Sequence, residues 1–156
     1  MKYRRMFIPG GTYFFTVVTY ERQPVFENPQ AVQLLKDAFL WTKEKHPYFV
    51  QALVILPDHF HSIWSLPEGD ANYPLRWNLI KGYFSKNWKK SLNTPISESR
   101  KNKRERTIWQ RRYWEHFITD EKDFEKHINY VHFNPVKHGY VENAMDWKYS
   151  TIRRFQ

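Results

Sequence analysis

The chain has 156 residues, enough for one globular domain, and 25 Lys plus Arg against 16 Asp plus Glu give it a formal net charge of +9. It has no cysteine and no apolar run near the ~18 residues a bilayer span needs, which excludes a disulfide framework, a cysteine-based zinc site, a cysteine nucleophile and a transmembrane helix. Aromatic residues make up 19% of the chain, too many for disorder, and with the basic balance they suit nucleic acid: phosphates attract Lys and Arg, and unpaired bases stack on rings.

The N-terminal MKYRRMFIPGG is basic but lacks an apolar signal segment, so a soluble, cytoplasmic protein is expected. Residues 12–20 (TYFFTVVTY) are β-branched and aromatic throughout and predict a buried strand. Over 28–45, Val32, Leu35 and Phe39 fall at helical spacing, with Asn28 as N-cap, Pro29 at the first helical position and Pro47 beyond the end. Residues 48–56 and 59–66 read as two strands joined at Pro57-Asp58, a hairpin. A second, basic amphipathic helix is expected over 75–88. The apolar pattern then vanishes over 91–106, where Pro, Ser, Asn, Lys and Arg predict a basic loop. A short strand at 113–118 follows, then a helix capped by Thr119 or Asp120 that Pro135 should end near Asn134. The order βαββαβα implies a single α+β domain over 1–156, a ferredoxin-like sandwich with helices packed on one face of an antiparallel sheet.

Two histidines at a spacing of two, His59 and His61, point to the same face of a strand, where one metal ion reaches both while Phe60 turns to the core. On the last helix His127, Tyr130 and Asn134 form one stripe, and Phe124, Ile128 and Val131 form another suited to packing. Such a set fits phosphodiester chemistry: a divalent ion held by two imidazoles and the Asn134 amide oxygen polarises the phosphate, and the Tyr130 oxygen attacks phosphorus. A mononuclear zinc hydrolase stays open as an alternative, with His116, His127, His132 or His138 as the third ligand. A histidine-triad nucleotide hydrolase does not, because the third histidine it needs is replaced by Ile63. The run RKNKRERTIWQRR supplies Arg100, Lys101, Lys103, Arg104, Arg106, Arg111 and Arg112 around Trp109, a candidate DNA-binding rim; a solvated loop is the plainer reading.

The segments LPDHFHSIWSLPEGD, IWQRRYWEHFI and YVHFNPVKHGYV, in that order, with YRRMFIPGGTYFFTVVT before them and DWKYST after, resemble the REP-associated tyrosine transposases. These are domesticated relatives of the IS200/IS605 single-tyrosine (HUH) transposases, and the resemblance spans residues 3–151. It implies an HUH endonuclease fold, Tyr130 as nucleophile, and His59, His61 and Asn134 as ligands of Mg²⁺ or Mn²⁺; insertion-sequence relatives commonly carry Gln at the last position. It further implies cleavage of single-stranded or hairpin DNA through a 5′-phosphotyrosine link, in a monomer or homodimer associated with the nucleoid. A non-catalytic nucleic-acid-binding module of the same fold is the alternative.

Overall fold

The computed structural model describes residues 5–91 and 108–155. Its elements run β1 (Thr12–Val18), α1 (Pro29–Lys45), β2 (Phe49–Leu56), β3 (His59–Ser65), α2 (Tyr73–Ser91), β4 (Trp114–Phe117) and α3 (Glu121–Lys137), the βαββαβα order expected. The expected basic loop, apart from Ser91 at the end of α2, lies outside the described residues. The four strands form one antiparallel sheet in the order β2-β3-β1-β4. No helix among the described residues is long and apolar enough to cross a membrane.

Strand alternation gives the sheet two apolar faces, and each needs a cover. On one face Tyr13, Phe15 and Val17 of β1 and Phe60 and Trp64 of β3 meet α1 and α2 through Leu35, Phe39, Trp77, Ile80 and Phe84. Each fully buried aromatic of this size contributes roughly 1.5–3 kcal/mol. A bulge between Val50 and Ala52 lets Val50 join this layer along with Leu53 and Ile55. On the other face Phe14, Ala52, Val54, Leu56 and Ile63 pack against Ile128 and Val131 of α3. The helices therefore sit on both faces, not on one as the sandwich pattern predicted. The reason is physical: Phe14 of β1, Ala52, Val54 and Leu56 of β2 and Ile63 of β3 leave an apolar patch on the second face, and α3 is the helix left to bury it.

Local signals set the helix starts. The Asn28 side chain accepts from Gln30 N–H with Pro29 at the first position, and the Asp120 side chain accepts from Asp123 N–H. Arg76, almost fully buried in α2, donates to both oxygens of Asp70 and to the carbonyls of His46, Pro47 and Asn72, tying α2 to the end of α1. The end of α3 departs from expectation. Pro135 does not stop the helix at Asn134; it lies inside, and the helix runs to Lys137. Its stop is Gly139 at φ +77°, with Tyr140 N–H donating to Pro135 O and Gly139 N–H to Val136 O, a Schellman closure. Proline forfeits its own amide bond and crowds the preceding turn, and the bonds to Pro135 O and Val136 O hold the last turn in spite of that loss.

Candidate active site

His59 and His61 project from β3 on the face that α3 covers, opposite Val18 and Thr16 of β1. Both are buried, at 5% and 3% exposure, and their rings stand edge-on with centroids 4.9 Å apart. Each spends its Nδ1 on a neighbour: His59 Nδ1 is 2.6 Å from Asp58 Oδ1, and His61 Nδ1 is 2.8 Å from Thr16 Oγ1. Ring orientation is thus set from behind, and each Nε2 is left for the site. Asp58 is itself held by Arg22 at 3.3 Å, which a bend with both Glu21 and Arg22 at φ 51° delivers. Two consecutive non-glycine residues in the left-handed region cost free energy, and the bend carries that strain beside the site.

The electrostatics keep both rings neutral. Burial lowers the His61 pKa to about 3, and the Lys137 ammonium and any proton taken up by the neighbouring His59 or His138 act in the same direction. Burial also lowers His59, although the Asp58 carboxylate pulls the other way. Asp58 is pushed up by burial, but hydrogen bonding and charge from His59 and Arg22 leave it below the usual carboxylate range. Neutral imidazole is the form that ligates metal.

Along α3, Tyr130, Asn134 and His138 follow at intervals of four, one stripe of the helix and its cap. Tyr130 lies edge-on to His61 with ring centroids 5.2 Å apart, and His138 lies 5.4 Å from His59. Asn134 lies between these two positions on the same stripe of α3. Its side chain is 1% exposed, and neither Oδ1 nor Nδ2 has a hydrogen-bond partner; His61 Nε2 is likewise buried and unpaired. Other buried polar atoms without partners, Thr42 Oγ1 and the indole nitrogens of Trp64 and Trp77, are on the opposite side of the sheet or in its helices. Of the three atoms at the site, His61 Nε2 and Asn134 Oδ1 carry lone pairs, and leaving them buried and unpaired costs free energy that a cation would restore. These donors fit a divalent ion.

Tyr130 itself is 40% exposed. Its ring packs edge-on to Phe14, with centroids 5.7 Å apart, and Lys137 Nζ lies 5.1 Å from the ring centre. That ammonium fixes the ring by a cation–π contact and puts positive charge where a phosphate would approach. An open cavity of about 510 Å³ adjoins the tyrosine, bounded also by Phe14, Thr16, Trp114, Lys126 and His127.

His127 shares the cavity wall and the Phe14 ring with Tyr130, as the spacing predicts, and it also belongs to a second cluster. Its Nδ1 is 2.8 Å from the Asp123 carbonyl and 3.2 Å from Asp123 Oδ1, while His116 Nε2 is 2.8 Å from Asp123 Oδ2. Among the described residues, His116, Asp123 and His127 are the group of three whose ligand atoms lie within 4.8 Å of one another. The carboxylate also accepts from Thr119 N–H at 3.0 Å, closing the first turn of α3. This cluster already satisfies itself by hydrogen bonds, unlike the His59–His61–Asn134 group. His132, the remaining zinc-ligand candidate, faces Thr151 with Nε2 3.0 Å from the hydroxyl.

No local pattern marks Asp58 and Thr16, which orient the histidines, and a helix that stops at Pro135 leaves His138 outside the stripe. Of the basic rim, Arg111 and Arg112 are exposed, whereas Arg100, Lys101, Lys103, Arg104 and Arg106 lie outside the described residues. Trp109 is not on a rim. It is 6% exposed, packs against Phe26, Phe60 and Phe84, and donates its indole N–H to Lys81 O, because burying a large ring among other rings outweighs leaving it in solvent.

No family model matches the chain. It is 42% identical over 152 residues to a Haemophilus influenzae protein assigned to the REP-associated tyrosine transposases, covering 97% of this chain and 85% of that one. It is 40% identical over 153 residues to the REP-associated tyrosine transposase of Escherichia coli, with 98% and 83% covered. Among solved structures, a REP-associated tyrosine transposase bound to a REP hairpin superposes with a TM-score of 0.83 at 40% identity, over 99% of this chain and 84% of that one. A candidate transposase of Deinococcus radiodurans shares the fold at a TM-score of 0.55 and 18% identity, over 92% and 98%.

Proposed function

The chain belongs to the REP-associated tyrosine transposases, a family of DNA transposases with a tyrosine nucleophile, and from that footing we propose a metal-dependent single-strand endonuclease and strand transferase acting on hairpin DNA. The observation that carries the reading is the packing of Tyr130 on His61, whose Nε2 is buried and unpaired, with the buried, unpaired Oδ1 of Asn134 one helical turn further along α3. In the proposed reaction Tyr130 Oη loses its proton and bonds to phosphorus as the bond from phosphorus to the 3′-oxygen breaks. The 3′-oxygen leaves as a hydroxyl, and the 5′-phosphate stays on the tyrosine. Attack by a 3′-hydroxyl on that link reverses the step and rejoins strands.

His59, His61 and Asn134 would hold the ion. Bound Mg²⁺ or Mn²⁺ supplies Lewis-acid polarisation of the scissile phosphate and screens its charge. Asp58 and Thr16 keep the imidazoles turned toward the site, and Lys137 and Lys126 add positive charge beside the tyrosine. Tyr130 packs on His61 of the same chain, so the proposed site uses the chain's own tyrosine; a monomer at work on the nucleoid is part of the same proposal.

The test is incubation of the protein with labelled REP-like hairpin oligonucleotides, with and without Mg²⁺ or Mn²⁺, followed by a denaturing gel. A covalent protein–DNA band that needs metal is expected. Binding without any band would leave the non-catalytic module, and activity with Zn²⁺ alone would restore the zinc hydrolase.

A further inference from the structure

A second basic surface lies on the opposite side of the sheet from the histidines, at the β2 edge, where a cavity of about 410 Å³ opens between α1 and residues 148–154. Its floor is apolar, made by Phe39, Tyr48, Val50, Leu53 and Ile55. Lys36 and Lys43, two turns apart on one stripe of α1, form one rim, and Lys148 and Arg154 form the other. No acidic residue lines it, and none of the four cations is in an ion pair among the described residues.

The cations gather on rings. Nζ of Lys36 and of Lys148 stand 5.8 and 5.5 Å from the centre of the same ring, Tyr149, and Lys43 Nζ is 5.9 Å from the ring of Phe49. Two ammonium groups drawn to one ring without a carboxylate repel each other, and a bridging anion relieves that repulsion. At the mouth Phe49 is 57% exposed, a flat face open to solvent on an otherwise covered strand.

The C-terminal wall is fastened to the sheet. Ile55 N–H donates to Tyr149 O at 2.9 Å, and Leu53 N–H donates to Thr151 Oγ1 at 2.9 Å. These bonds close an edge strand that would otherwise offer open amides. Thr151 also meets His132 of α3, two residues from Tyr130, so the groove and the nucleophile helix share a fixed anchor.

We propose that this groove holds an unpaired stretch of nucleic acid, with successive phosphates on the lysine and arginine rims and a base stacked on Phe49. A basic channel with exposed aromatics is how single strands are gripped without sequence readout. A duplex offers no unpaired base face to Phe49. That the polyanion is the single-stranded flank of a hairpin substrate rests on the function proposed above; the convergence of cations on rings does not.

Anisotropy with a labelled oligothymidylate of about 12 nucleotides tests it, within the site sizes usual for single strands. The full chain carries Tyr130→Phe so that no cleavage intervenes. The combined Lys43→Ala, Lys148→Ala and Arg154→Ala variant should flatten the log–log salt slope by about 2 units. Phe49→Ala should weaken binding about 5- to 100-fold with the slope unchanged. All four positions are exposed, so the fold is not at stake. Wild-type slope and affinity in both variants would overturn the proposal. So would binding to phosphatidylglycerol vesicles that the variants lose while oligonucleotide binding stays intact. The hairpin adduct assay separates the two readings: an adduct without groove effects removes the groove alone, and groove effects without an adduct remove only the cleavage reading.

Discussion

Tyr130 offers a clean separation of binding from chemistry, because Tyr130→Phe keeps the ring that packs on His61 and Phe14 and deletes only the oxygen. The variant should bind hairpin DNA as the parent does and form no covalent adduct on a denaturing gel; an adduct at parental yield would move the nucleophile elsewhere. The histidines carry a pH signature of their own. The folded His61 pKa of about 3 lies below the ordinary value near 6.5, so between the two the unfolded chain takes up a proton that the folded one refuses. Stability is therefore full above about pH 6.5 and declines as pH falls toward 3. The lowered carboxylates Asp58, Asp70 and Asp123 act only below the ordinary carboxylate range, near pH 4, which leaves the window from about 4 to 6.5 to the histidines. Urea midpoints measured at pH 7.5, 6 and 5 without added metal should fall in that order, and His61→Gln should flatten the trend.

At the scale of elements, most of the chain could be read locally. Asn28-Pro29 and Asp120 announce helix starts through their own hydrogen bonds, and alternation of apolar residues marks the strands. Pro135 misleads because its penalty falls on the turn before it, while the turn after it is held by the bonds that Tyr140 and Gly139 N–H make to Pro135 O and Val136 O. Gly139 does the stopping. A Cβ there would meet nothing within 4 Å, so Gly139→Ala carries only the backbone penalty of φ +77°, about 1–2 kcal/mol. Thermal unfolding should drop by roughly 2–8 °C, with the loss of Mn²⁺ affinity expected to follow because Asn134 and His138 lie in the turn that frays. An unchanged midpoint would mean that the closure contributes nothing.

Over the whole molecule the excess of cations sets long-range attraction to a polyanion, and the basic stretch at 100–106 is read as a phosphate contact. Replacing Lys101, Lys103 and Arg104 with alanine should flatten the salt dependence of hairpin binding by up to about 2 units and leave discrimination between hairpin sequences intact. Lost discrimination at an unchanged slope would reverse that role. By itself the sequence determined the element order, the shared face of His59 and His61, the single stripe of Tyr130 and Asn134, and the family, because periods of 2.0 and 3.6 and short motifs are properties of neighbouring residues. Only the tertiary structure decided that α3 crosses to the histidine face, that His138 joins the stripe, that Trp109 fills the core and that a basic groove lines the β2 edge. Each of those depends on which buried face found which cover, a choice made by residues far apart in the chain and invisible to any local pattern.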